Sequence, residues 1–171
     1  MKTFQFLCLL AGVVLTCHSC KQPTGEMFPE FDLVLERELV GEVIHNSICW
    51  AMIKDTVKLY GSMVPDTTLF IFHPDSASTV RDFKQIRYAA EKVWLDDRFK
   101  ATECNIKDLR IQLSQGGDVA WYSCLLDDIG EWDGRAIGWY NARWTGVLEK
   151  RDDKWLIMQM HFSFPVERFQ K

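Results

Sequence analysis

Apolar residues along this chain fall into two rhythms, helical in the first half and alternating in the second. From residue 31 onward, Val40, Val43, Ile44, Ile48 and Ala51 recur at helical spacing, while Glu36, Arg37, Glu38 and Glu42 mark a wet face. Asp55 is placed to cap a second, short helix carrying Val57 and Leu59, which Gly61 and Pro65 end. Residues 67–73 (TLFIFH and its flank) predict a strand closed by Pro74-Asp75-Ser76. Thr79-Val80-Arg81-Asp82 then predicts a capping box opening a third helix, with Phe83, Ile86, Ala90 and Val93 on its buried side.

Beyond Lys100 the period becomes two. Leu109, Ile111 and Leu113 alternate with Arg110 and Gln112, and residues 114–118 turn the chain into a strand over 119–126. Residues 127–134 predict a loop, 135–150 a long strand, and a turn near Arg151-Asp152 leads into a last strand over 155–164. Symmetric pairing about that turn puts Arg143, Thr145 and Val147 on one face with Leu156, Met158, Met160 and Phe162. Trp144, Gly146 and Leu148 then share the other face with Trp155, Ile157, Gln159 and His161. Three helices followed by an antiparallel meander predict an α+β domain.

The segment RWTGVLEKRDDKW, followed after five residues by HFSFP at 161–165, resembles the last hairpin of the nuclear transport factor 2-like superfamily. It is most similar to the SnoaL-like branch and more distantly to the association domain of calcium/calmodulin-dependent protein kinase II. The resemblance implies a cone: a curved antiparallel sheet wrapped around three N-terminal helices, with an internal pocket. It also implies that the polar residue lining the cavity from the fourth strand falls at Thr145, which assigns the Arg143 face to the pocket and Trp121, Ser123 and Leu125 inward beside it. His73, before Pro74, stands where ketosteroid isomerases of this superfamily carry an Asp-Pro general base. Their tyrosine donor would fall near Ser47 and their acid donor near Thr145, so that oxyanion-binding pair is absent. Cones of this kind commonly pair through their sheets, and the apolar stripe Trp144, Trp155 and Ile157 is assigned to such a homodimer interface.

Charge and composition narrow the function classes. With 20 basic against 24 acidic residues and no basic run, nucleic acid is not an expected partner. The length of 171 residues suits one domain. Lys2 followed by the apolar run 6–15 reads as an export signal, too short to span a bilayer. Ser19-Cys20 resembles a bacterial lipobox, with Thr16-Cys17 as the competing site and an ordinary secretory signal as the other alternative. The chain thus divides into a leader (1–19), a tether (20–30) and one domain (31–171), anchored to the cell envelope through a lipid on Cys20. Cys49, Cys104 and Cys124 remain in the domain without framework spacing; Cys49 and Cys124 read as small core residues. His45, His73 and His161 form no pair at ligand spacing, so no metal and no cofactor are expected.

Candidate chemistry rests on few residues. His73 has the pKa range of an acid–base group, and equally suits a hydrogen-bonded structural role. Arg143 reads either as a clamp for an anionic ligand or as one half of an internal pair with Asp75, Asp127 or Glu149. Trp50, Trp94 and Trp121 read as core and pocket wall, with Met158 and Met160 beside them. Three functions stay open: a binder of a small, partly apolar, anionic or carbonyl-bearing molecule; an isomerase, cyclase or dehydratase using His73; or an interaction module with a vestigial pocket.

Overall fold

The computed structural model describes residues 32–165; the leader, the tether and Cys20 lie outside them. Helix α1 (Leu33–Cys49) starts at Asp32, whose Oδ1 accepts from the amides of Val34 and Leu35 at 2.9 and 3.2 Å. One 3₁₀ turn (Trp50–Met52) leads to α2 (Thr56–Gly61), capped by Asp55 as the sequence suggested. Strand β1 (Phe70–Phe72) is followed by α3 (Phe83–Ala89). The cap of α3 is Asp82 and not Thr79: Asp82 accepts from the Gln85 amide at 2.9 Å, and Gln85 Oε1 accepts from the Arg81 amide at 2.8 Å. Helix entry is delayed because Val80 is held beside β1, exchanging two 2.9 Å backbone bonds with Ile71. A single π turn (Ala90–Trp94) extends α3.

Four long strands complete the domain: β2 (Phe99–Leu113), β3 (Val119–Trp132), β4 (Arg135–Arg151) and β5 (Lys154–Ser163). They form an α+β cone with sheet order β1-β5-β4-β3-β2. The sheet is mixed, since β1 runs parallel to β5 while the other pairs are antiparallel. The expected loop over 127–134 is strand almost to its end. Asp133 and Gly134, both at positive φ (52° and 75°), make a tight turn between Trp132 and Arg135. An Asp-Gly pair supplies the two left-handed residues that such hairpins need, and it was the local signal for this turn.

The last hairpin corrects the face assignment. Its turn is Asp152-Asp153, both at positive φ, closing Arg151 against Lys154. Leu148 pairs with Ile157 but Val147 pairs with Gln159, so Met158 is an extra residue on β5. That bulge reverses the alternation of β5. Trp155 and Ile157 before it, and Met160 and Phe162 after it, therefore all face inward with Trp144, Gly146 and Leu148. Trp144, Trp155 and Ile157 are buried core residues and form no outer stripe. Arg143, Thr145, Ser123 and Trp121 instead sit on the outside of the sheet, with Trp121 48 % exposed. The inverted choice of face followed from matching Thr145 to a family position instead of weighing which set was more apolar.

Two long-range links tie the helices to the sheet. Glu36, expected on the wet face of α1, is buried; it accepts from Lys150 Nζ at 2.7 Å and from the Trp155 indole N–H at 2.6 Å. Burial alone would raise its pKa, but these two hydrogen bonds outweigh burial and hold the carboxyl below its ordinary value. Cys49 at the end of α1 and Cys104 on β2 are joined in a disulfide, their Cα atoms 5.5 Å apart. The expectation of unpaired cysteines is corrected here, because the fold apposes two residues that no sequence spacing relates. Cys124 stays free and buried, its thiol pushed up to about 12 by desolvation, which leaves it inert.

A cross-link 55 residues apart removes loop entropy from the unfolded chain worth about 4 kcal/mol on the loop-closure scale. Cys49→Ser with Cys104→Ser is expected to lower the unfolding free energy by about 2–4 kcal/mol, read as a lower denaturant midpoint with a slope that rises as the unfolded chain is freed to expand. An unchanged midpoint would show that the two cysteines are not bonded in solution.

Candidate functional site

Between the helices and the inner face of the sheet lies a cavity of about 650 Å³, within the range of small-molecule sites. The α1 end supplies Ile48, Trp50 and Ala51; α3 and its π turn supply Ile86, Ala89, Val93 and Trp94. Trp50 and Trp94 meet edge to face, their centroids 5.9 Å apart, so the two helical segments share one aromatic corner. The sheet adds Ile71, Met160, Phe162, Ile137 and Trp139.

A second irregularity sends β4 into this space. Leu126 pairs with Ala142 but Asp128 pairs with Trp139, leaving Tyr140 and Asn141 opposite Asp127 alone. Asn141 takes a φ of 55° there, and the Asp127 carboxylate holds it by accepting from its amide at 2.8 Å. Lys107 Nζ sits 2.7 Å from both Asp127 oxygens and from Asn141 Oδ1. The Lys107 hydrogen bonds, seconded by the Asn141 amide, keep Asp127 below the usual carboxylate range. The bulge changes which side of β4 is inward, so Trp139 and Ile137 line the cavity although Ala142 and Trp144 are core on the opposite parity.

Among the described residues, two ionisable side chains line the cavity, His73 and Asp128. His73 leaves the end of β1 and stacks on Phe162 with centroids 5.3 Å apart and planes 14° from parallel. Its ring also lies 6.0 Å from that of Trp139. Burial lowers its pKa below 6.5, an effect that the nearby Asp75 only partly offsets, so the imidazole is neutral at pH 7. Asp128 is flanked across the sheet by Cys104 and Trp139. Desolvation raises its pKa to about 6, and its carboxyl has no partner among the described residues. Gly138 adopts a φ of 123° beside it; a Cβ there would strike the Asp128 carbonyl oxygen.

The sequence-derived site is thus divided. His73, Trp50 and Met160 line the cavity, and Met158, the bulge residue, packs against the core. Arg143, Thr145, Trp121 and Ser123 do not line it; Trp121, Ser123 and Thr145 border a shallow groove on the outer face with Arg110 and Gln159. Arg143 therefore cannot serve as an anion clamp in the cavity, and no Lys or Arg among the described residues lines it. Asp128 escaped sequence reasoning because residues 127–134 read as a loop, and Trp139, inside the expected strand 135–150, because the bulge that sets its side has no local signal. An acidic pair ending an apolar strand run was the available signal. Among the described residues no group of three His, Cys, Asp or Glu could hold a metal ion, and no helix is long and apolar enough to cross a membrane.

A cone of this topology with an enclosed cavity defines the nuclear transport factor 2-like class. Residues 40–167 match the SnoaL-like domain family, and the chain belongs to it. Solved structures agree on the fold. A candidate dehydratase of the NTF2-like family from Streptomyces avermitilis is 14 % identical, with a TM-score of 0.63, over 78 % of this chain and 99 % of that one. The association domain of C. elegans CaMKII is 14 % identical with a TM-score of 0.57, over 77 % and 97 %. An NTF2-like protein from Cytophaga hutchinsonii is 16 % identical with a TM-score of 0.60, over 74 % and 96 %. At these identities the likeness is one of fold. No curated protein matches the sequence.

The raised pKa of Asp128 makes it a destabilising group once ionised. Below about pH 4 the carboxyl is protonated in folded and unfolded chain alike. Between about 4 and 6 the unfolded chain ionises first, so stability falls as pH rises, reaching a loss of about 3 kcal/mol above 6. Asp128→Asn is expected to stabilise the free protein by up to that amount at pH 7.5 and hardly at all at pH 4, measured by denaturant unfolding at both. An equal gain at the two pH values would contradict a shifted Asp128.

Proposed function

We propose that this protein binds a small, mostly apolar molecule inside the cone. The observation that carries this reading is the cavity of about 650 Å³, walled by Trp50, Trp94, Trp139 and Phe162 and open enough that side chains do not fill it. A vestigial pocket in a pure interaction module would be expected to collapse, since unfilled apolar volume costs stability. We propose further that the chain is exported and lipid-anchored at Cys20. The Cys49–Cys104 disulfide supports export, because such bonds persist in oxidising compartments. A homodimer cannot use Trp144, Trp155 and Ile157, which are core; the outer sheet face that stays available to one carries Trp121 and Thr145.

A second reading, acid–base catalysis on the bound molecule, is favoured by one feature. The same desolvation favours the uncharged form of both His73 and Asp128, so the cavity holds an imidazole free to accept a proton and a carboxyl that keeps its own up to about pH 6. The fold itself is shared by a candidate dehydratase and by an association domain, so it favours neither reading.

Binding is tested by titrating tryptophan fluorescence with a neutral bicyclic probe, 2-naphthol, alongside native mass spectrometry for co-purified ligand. Ala89→Trp fills the cavity from α3 and is expected to weaken binding at least tenfold while far-ultraviolet dichroism stays native. Unchanged affinity in that variant would place the binding elsewhere. Once a turned-over substrate is found, His73→Gln separates the readings. A binder tolerates it with little loss, whereas an acid–base enzyme loses ~10²–10⁴-fold in turnover with binding kept.

A further inference from the structure

The polar end of the cavity is unbalanced in one direction. Asp128 brings a carboxyl into a space whose lining has no Lys or Arg among the described residues, and burial favours the neutral form of His73, the other ionisable group described there. Its cross-strand neighbours are Cys104, locked in the disulfide, and Trp139. Asp127, next in sequence, is bonded to Lys107 and Asn141 instead. Asp75 beside His73 is exposed and bonded to the Ala77 amide and the Ser78 hydroxyl. No protein cation therefore answers Asp128 among the described residues. The walls that remain are aromatic, and ring faces attract cations where water is excluded.

We propose that the cavity selects a small apolar amine, bound as its ammonium ion, with Asp128 as the counter-charge and Trp139 among the aromatic wall that packs its apolar body. This rests on the cavity-binding reading and names the ligand class within it. An anion would meet an uncompensated carboxylate. A neutral carbonyl compound would need Asp128 in its protonated form, which is the minor form above about pH 6. An ammonium supplies the missing partner, relieving the burial penalty on the carboxylate by a charge-assisted hydrogen bond. Gly138 and Asp128 both line the cavity, and the close approach of the Gly138 backbone to β3 fixes the strand at that point.

Three probes of one size and different charge test this by calorimetry on the mature protein: 2-phenylethylamine, 2-phenylethanol and 3-phenylpropanoate. At pH 7.5 the amine is expected to bind at least tenfold tighter than the alcohol, and the carboxylate weakest. Because the amine stays protonated throughout, its affinity should fall from pH 7 to 5, approaching tenfold per unit below about 6 as the free carboxyl takes up its proton. A ligand held by protonated Asp128 would show the opposite slope. Asp128→Asn should bring amine and alcohol to the same affinity; if that variant folds poorly, the pH slope of the wild type decides alone. An alcohol that binds as tightly as the amine, or an amine preference that survives Asp128→Asn, overturns the inference while leaving the cavity a binding site. Failure of all three to bind, alcohol included, overturns the cavity reading and this inference together.

Discussion

A sheet that curls around helices can keep one apolar face only if its strands break their own alternation where they bend, and of the four register shifts in this sheet the two on β4 and β5 do that for the cavity side. Met158 shifts β5 so that Trp155 and Ile157 lie on the same side as Met160 and Phe162. Tyr140 and Asn141 shift β4 so that Trp139 joins the cavity while Trp144 stays in the core. A regular ladder would have sent one half of each strand outward. The second bulge has a visible fastening in the Lys107–Asp127–Asn141 cluster, where each polar atom meets a partner at 2.7–2.8 Å. The Asp152-Asp153 turn closes the hairpin that carries the first, and Glu36 pins that hairpin to α1 through Lys150 and Trp155. Site geometry is therefore a consequence of how the sheet bends.

Element identity was legible wherever a local pattern decides it. The helical spacing of Val40 and Ile44 and the Asp55 cap describe what is found, and so does the strand over 109–113, although Leu109 itself is exposed at a register shift. The last hairpin also carried the family likeness. Features set by contacts distant in sequence were not legible. The Cys49–Cys104 bond depends on α1 packing against β2, and the burial of Glu36 on a hairpin more than a hundred residues away. The face error is more instructive. Trp144, Leu148, Trp155 and Ile157 were correctly grouped and then placed outside, although so apolar a set opposite Arg143 and Thr145 belongs in a core. The bulge at Met158 hid the rest, because it lets Met160 and Phe162 share that face when strict alternation forbids it.

What the site can do follows from its poverty of charge. Desolvation brings His73 down, only partly countered by Asp75, and Asp128 up with no ion to counter it among the described residues, so small changes in ligand or pH alter which of them is charged. The disulfide adjoins this region on both sides. Cys49 lies between the cavity residues Ile48 and Trp50, and Cys104 faces Asp128 across the sheet. Holding those two walls at fixed separation keeps the cavity's volume from depending on helix packing alone. The same fold supports an association domain elsewhere, and here it is the lining that favours a small molecule.

All seven tryptophans fall within residues 50–155, and they report directly on which face of the sheet is which. In a nitrogen-15 spectrum of the tryptophan-labelled protein, a soluble paramagnetic agent broadens indole signals in proportion to their exposure. The account predicts that Trp121 bleaches early while Trp144 and Trp155, buried in the core, keep their intensity. Trp144 and Trp155 signals that fade together with Trp121 would contradict the bulged register on which the cavity, its walls and its chemistry depend.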